Sequence, residues 1–210
     1  PIMFPKINPD GTPGGVLNFL GSNPWGMLTQ SGYARIDRNV LQGTLGAKWD
    51  LSRLVTEGLS LSGKFAYDHY YNARQNRYKN FEVKEYIGQD ADGEDIYVVH
   101  REASALGYNV VHDSNRRLYF EGTVNYDRAF NDHQVTSMIL FNSKENINLS
   151  AANSIGSLPA RSLGIAGRFT YAFMSKYLAE INFGYNGSEN FPKENRFGFF
   201  PSLSLGWVIT

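Results

Sequence analysis

Cysteine is absent from the 210 residues, which excludes a disulfide framework and any thiolate metal site. Excess charge of either sign is absent too: 20 Lys and Arg balance 20 Asp and Glu, so nothing in the charge points to nucleic acid as a partner. No run of about 18 apolar residues occurs, which excludes a transmembrane helix. The opening Pro1-Ile2-Met3 has none of the character of a signal peptide, so the expectation is either a cytosolic chain or a piece of something larger. Catalytic and cofactor motifs are missing as well. The four histidines, His69, His100, His112 and His133, fall into no H-E-x-x-H or other ligand spacing, and neither a G-x-S-x-G elbow nor a phosphate-binding G-x-x-x-x-G-K loop is present. The expectation is a protein that is not an enzyme and carries no cofactor. Asp90, Asp92 and Asp95 surround Gly93 in a faintly calcium-loop-like way, but no Glu follows at the twelfth position, and an Asp-Gly hairpin turn accounts for them. Asn148-Leu149-Ser150 and Asn186-Gly187-Ser188 fit the glycosylation sequon and are read as loop residues.

What the chain has in quantity is aromatic residues and glycine, with 13 Tyr, 14 Phe and 21 Gly, arranged with a period of two. Successive side chains of a strand point to opposite faces, so a period of two marks a strand with two different faces. Tyr177, Ala179, Ile181, Phe183 and Tyr185 alternate with Leu178, Glu180, Asn182 and Gly184. Phe197, Phe199, Leu203, Leu205, Trp207 and Ile209 alternate with Ser202, Ser204 and Gly206. The same pattern runs from Leu41 to Leu51, Leu59 to Tyr67, Leu118 to Tyr126 and Leu163 to Tyr171. A further strand is expected over 134–142, where both faces are fairly apolar and the parity stays open. Residues 1–31 show no sustained period and read as a loop containing Trp25. Residues 69–114 read as a long polar excursion with its own hairpin, turned at Asp92-Gly93 between 82–87 and 96–99.

Two regularities turn these strands into an architecture. Short and long connections alternate along the chain. The mid-strand charges Lys48, Lys64, Glu121, Arg168 and Glu180 all lie opposite the apolar face. Short turns at one end, long loops at the other, and strands of about 10 residues with apolar-out and polar-in alternation describe a transmembrane β-barrel. Trp49, Tyr126, Phe130, Tyr171, Phe173, Tyr177 and Trp207 collect beside the short turns, where an interfacial girdle belongs. The expected fold is all-β: an antiparallel transmembrane β-barrel, present as an incomplete section of about seven long strands with long extracellular loops. Residues 1–32 are expected to be an extracellular loop segment and 33–210 a barrel section, with 69–114 as the extracellular excursion. A water-soluble β-sandwich has the same period of two and stays open as the alternative, in the form of a carbohydrate-binding module; an adhesin-like barrel without transport is a third possibility.

The last strands carry a resemblance. FGYNGSENF at 183–191 and NRFGFFPSLSLGWVI at 195–209 resemble the SusC-like branch of TonB-dependent outer-membrane transporters, about 25 residues in all. GTLGAKWDLS at 43–52 and GLSLSGKFAYD at 58–68 resemble paired strands of that family more loosely. The resemblance implies a bacterial outer-membrane importer in contact with the lipid bilayer, a 22-stranded barrel filled by an N-terminal plug and energised by TonB. It implies a SusD-like surface lipoprotein as lid, and a glycan or, less expectedly, a peptide as substrate. No plug, TonB box or terminal barrel strand is legible in this chain, so the expectation is a middle section of a transporter. The small residues of the polar face, among them Ser60, Ser62, Ala66, Ala166, Ser202 and Gly206, leave room for a domain inside but would line a water-filled lumen equally well. The aromatics in or beside the long connections, Trp25, Tyr70, Tyr71, Tyr78, Tyr86 and Tyr108, are the candidate substrate-binding residues, because flat rings stack on the C–H faces of sugars. Packing of loop on loop, or a place at the outer interface, explains each of them as well.

Overall fold

The computed structural model describes residues 3–19 and 23–209. Pro1, Ile2, Leu20, Gly21 and Ser22 of the expected loop segment, and Thr210 after the last strand, lie outside the described residues. Among the described residues two short helical turns precede nine strands, a third turn (Lys193–Asn195) separates the last two, and the longest strands are far longer than those of ordinary globular sheets. They are β1 (Gly32–Asp50), β2 (Leu59–Tyr78), β3 (Val83–Gln89), β4 (Asp95–Arg101), β5 (Gly107–Phe130), β6 (His133–Asn148), β7 (Ala160–Phe173), β8 (Tyr177–Ser188) and β9 (Phe197–Trp207). Seven form one sheet in the order β1-β2-β5-β6-β7-β8-β9, and β3 and β4 pair separately. The sheet is open, with β1 and β9 at its edges.

The register assigns every side chain of β5 to β9 to a face. Val124 lies opposite Ile139, Ile139 opposite Gly167, Gly167 opposite Phe183 and Phe183 opposite Pro201. That row is apolar throughout. The next row along the strands, Thr123, Leu140, Ala166, Gly184 and Phe200, is on the other face. The parity of β6, open in the sequence, is thereby fixed: Val135, Ile139 and Phe141 share the apolar face, and Met138 and Leu140 share the polar one. The mid-strand charges meet each other on the polar face. Lys64 Nζ lies 3.0 Å from Glu121, and Arg168 lies 2.7 Å from Glu180, which also accepts from Asn182. At the short-turn end of the apolar face Phe130, His133, Phe173, Tyr177 and Trp207 stand in one row of the register. Ring centroids along it are 4.9 Å apart for His133 and Phe173 and 6.4 Å for both Phe173–Tyr177 and Tyr177–Trp207.

Among the described residues nothing covers the apolar face. Leu45 is 76% exposed, Leu203 67% and Leu205 79%, and Trp49, Phe120, Ile139, Ile181 and Phe199 are likewise exposed. A β-sandwich would bury this face as its core, so the structure does not favour that alternative. Leaving about a dozen large side chains in water forgoes roughly 20–30 kcal/mol. That exceeds the net stability of about 5–15 kcal/mol typical of a folded domain.

Chain contacts divide the protein into two compact units. One comprises 39–71 and 113–210, the body of the seven-stranded sheet. The other comprises 1–38 and 72–112. The expected excursion boundaries at 69 and 114 fall inside β2 and β5, which continue to Tyr78 and begin at Gly107. The second unit has what the sheet lacks. Pro13, Ala73, Phe81 and Val83, buried apolar residues among those described, all belong to it. The expected loop 1–31 contains a short helix there, α1 (Pro24–Thr29). Asn23, 1% exposed, caps it, accepting from the amides of Trp25 and Gly26 and donating its amide to the carbonyls of Lys6 and Gly14. Asn followed by Pro at the first helical position is a start signal, masked in the sequence by a helix too short to show a period. Gly26 packs on the Phe81 ring and Gly15 on Val83, where any side chain would collide. The Gly15 amide donates to the Lys84 carbonyl, and Lys84 Nζ reaches Asp10 at 3.0 Å.

Burial pushes the Asp10 carboxyl up, but the Thr12 hydroxyl and amide and the Lys84 ammonium together hold it below its ordinary 3.8. The hydrogen bond to Asp10 raises Lys84 above its ordinary 10.5, against the opposing effect of burial. The stability from the depressed Asp10 is present above 3.8 and lost as pH falls through the lower folded value; that from the raised Lys84 is present below 10.5 and lost as pH rises through the higher one. Hydrogen-exchange protection of the Gly15 amide, corrected for intrinsic exchange, is therefore expected to be flat between about pH 5 and 9 and to fall in stronger acid. Protection unchanged down to about pH 2 would show that the clamp contributes nothing.

Candidate functional site

The structure does not gather the candidate aromatics into one site. Trp25 lies in the first turn of α1, half-buried, with its amide held by the Asn23 cap. Tyr86 sits on β3 opposite Tyr97 of β4, ring centroids 5.6 Å apart, and both hydroxyls donate to Asp95 at 3.2 Å. Burial first, and then the Asp95 carboxylate, push both phenols above their ordinary value. Tyr78 and Tyr108 are exposed, the former with its ring over Gly107, the latter with the Arg77 guanidinium 4.2 Å above its ring. Tyr70 and Tyr71 belong to the sheet unit and, as neighbours on β2, point to opposite faces.

Of the six, Tyr70 lines an open cavity of about 760 Å³ within the sheet unit. Around it converge Asp68 from β2, Asp113, Asn115 and Arg117 from β5, and Asn146 and Asn148 from β6. Arg117 donates from Nε to Asn146 at 3.1 Å, and its guanidinium is 3.9 Å from Asp68. His69 and Ser114 are joined by a 3.2 Å hydrogen bond. Gly156 and Leu158, from the connection after β6, close one side. Donors, acceptors and one flat ring in a concave site can hold a neutral polyhydroxylated or amide-bearing ligand. Sequence reasoning found Tyr70 alone, because the remaining residues come from strand ends far apart in the chain. The signal that could have found them is parity: Asp68, Tyr70, Asn115 and Arg117 all continue the polar side of their strands.

Metal chemistry has no support in these residues. Among those described, no cluster of His, Asp or Glu has ligand geometry. Asp90 is occupied in its turn, accepting from the amides of Asp92 and Glu94 at 2.9 Å, with Gly93 at φ +85. The Asp92-Gly93 hairpin expected from the sequence is thus the one formed.

No protein-family model matches the chain. A segment of 43 residues, 20% of this chain, is 46% identical to the TonB-dependent receptor SusC of Bacteroides thetaiotaomicron. The matched segment spans only 4% of that relative's length. Among solved structures, one described as the RagAB peptide transporter overlaps 86% of this chain and 20% of its own at 14% identity and a TM-score of 0.49, a likeness too loose to decide anything. In sequence the matched segment is similar to a SusC-like TonB-dependent transporter, and the structure around it is an antiparallel sheet of long strands whose apolar face is left bare among the described residues.

Proposed function

We propose that this chain forms part of the wall of a bacterial outer-membrane importer for nutrients, with glycans as the substrate class. The bare apolar face of the seven-stranded sheet carries this reading. Backbone groups in hydrocarbon must be paired internally, so a closed sheet is one of two ways to span a bilayer, and its outer face is apolar. The row from Phe130 to Trp207 then marks one membrane interface, beside the short turns. The polar face lines the lumen, and the cavity at Tyr70 belongs to the path of the substrate. Substrate is moved and not changed, so no catalytic group is needed. TonB drives transport through a part of the receptor outside this chain, and a SusD-like lipoprotein closes the extracellular mouth. The unit built from 1–38 and 72–112 is the element offered to substrate or lid.

The two faces of β9 test the membrane reading. Leu203→Arg in the intact receptor places a charge on the lipid face and is expected to cost about 2–4 kcal/mol near the midplane. Ser202→Arg points into the lumen and is expected to cost far less. Thr123 also faces the lumen but is only 8% exposed, so Ser202 is the cleaner comparison. Unfolding of the vesicle-inserted receptor in urea reads both, and equal losses would refute the assignment of faces.

The paired strands β3 and β4 test the role of the second unit. Their hydrogen bonds close on each other and contribute none to the seven-stranded sheet. Deleting 86–99 therefore removes no membrane strand and is expected to leave heat-modifiable migration of the receptor intact. Growth on the imported glycan, or co-purification of the lipoprotein, is expected to fall. Normal growth and normal co-purification would show the hairpin to be passive, and failure to insert would show that it supports the barrel itself.

A further inference from the structure

A second cavity of about 550 Å³ opens in the sheet unit beside the β8–β9 connection. Several of its lining residues stand on the polar face. Asn142 of β6 and Asn186 of β8 both belong to the row that pairs through Gly164, and Gly198 ends that row. Phe200 lies one row further along β9, opposite Gly184. The glycines shape what their neighbours do. A Cβ on Gly164 would sit 2.5 Å from Asn186 Oδ1 and 3.1 Å from Asn142 Oδ1, so the two amides lean together over a bare backbone. A Cβ on Gly198 would sit 2.7 Å from the Phe200 ring, so that ring lies down over the next bare stretch.

Two features of this cluster are out of keeping with the rest of the wall. Several polar groups of this face engage one another: Lys64 with Glu121, Arg117 with Asn146, Arg168 with Glu180 and Asn182 with Glu180. Asn142 and Asn186 make no side-chain hydrogen bond among the described residues, although each offers two donors and an acceptor. Phe200 is a large aromatic ring, 64% exposed, on the face that carries the mid-strand charges. Phe200, Asn142 and Asn186 line one cavity. Side by side, they form a flat apolar platform flanked by free amides, with no carboxylate among the lining residues.

We propose that Phe200, Asn142 and Asn186 form a binding subsite for a neutral pyranose ring. The apolar C–H face of the sugar lies on the Phe200 ring, and its hydroxyl pairs bridge the two amides. The cavity has the volume of a small-ligand site. Arg196, at the rim, is held by a hydrogen bond from Nε to the Phe191 carbonyl at 3.2 Å, leaving its remaining donors for a hydroxyl. The proposal rests on the reading of the polar face as the lumen of a glycan importer, and it gives that lumen a specific contact.

The test uses the intact receptor with its lipoprotein in cells, supplied separately with fluorescent maltohexaose, xylohexaose, mannohexaose and a neutral hexapeptide. Uptake of at least one hexasaccharide by the unaltered receptor tests the importer reading by itself. For that sugar, Phe200→Ala and the double change Asn142→Ala with Asn186→Ala are each expected to raise the half-saturating concentration roughly tenfold, as the loss of a ring contact or a hydroxyl bridge does. Phe200→Trp, which keeps a stacking face, is expected to retain uptake. Heat-modifiable migration reports insertion of each variant. A hexasaccharide imported equally well by all the inserted variants would overturn the subsite while leaving the importer intact. Equal loss in Phe200→Ala and Phe200→Trp would also overturn it, since that marks packing and not stacking. Uptake of the peptide alone would overturn the subsite and the glycan reading together.

Discussion

Everything in the seven-stranded sheet depends on one unmet need: its apolar face has no cover among the described residues. In water that face opposes folding, because the alternation that pairs every backbone group also leaves Leu45, Leu203 and Leu205 bare. In hydrocarbon the same alternation becomes the reason the sheet holds. The hydrogen-bond ladder is then no longer in competition with water, and each unpaired backbone group would cost several kcal/mol. The charges obey the same constraint. Lys64, Glu121, Arg168 and Glu180 sit on the one face where they can stay hydrated, and they pair there.

The second unit meets its need in the opposite way. Its buried Ala73, Phe81 and Val83 are shielded by glycines that admit close approach and by asparagines that satisfy buried carbonyls. The Arg101 guanidinium covers Phe81 at 4.3 Å and donates to the Phe81 carbonyl. This is the packing of a small core of its own, and it explains why the regular alternation weakens in this part of the chain. A two-faced strand pattern signals a boundary between two solvents. Where a segment buries a few side chains in its own loops, the pattern has no reason to persist.

That difference governs what could be read from the sequence. The long strands were legible because a two-sided environment writes the same period into each of them, from Leu41–Leu51 to Phe197–Ile209. The hairpin was legible because an Asp-Gly turn needs a positive φ, which Gly93 supplies. The helix after Asn23 was not, since six residues are too few for a period to emerge. The parity of β6 was not either, because Met138 and Leu140 place apolar groups on the polar face, and only the partners across the ladder decide between two greasy sides. The candidate site suffered most. Aromatic residues in long connections were an obvious signal, yet the two wall cavities are built from parity, with Asp68 and Arg117 in one and Asn142, Asn186 and Phe200 in the other.

Register is therefore the quantity through which sequence reaches function in this chain. A slip of one residue between neighbouring strands would exchange the two faces of everything beyond it. The short connections are the natural place to prevent it. Asn131, Met174 and Ser175 all adopt left-handed backbone conformations, φ 51, 52 and 54, and Met and Ser do so against their own preference. Tight turns tolerate that strain when the strands on both sides demand it. Further along, the Arg168–Glu180 and Lys64–Glu121 pairs check the same register from the polar face, and the stacked Phe173, Tyr177 and Trp207 check it from the apolar one. The long connections need no such control. They can carry a separately folded unit because the alignment of the wall has already been fixed at the other end.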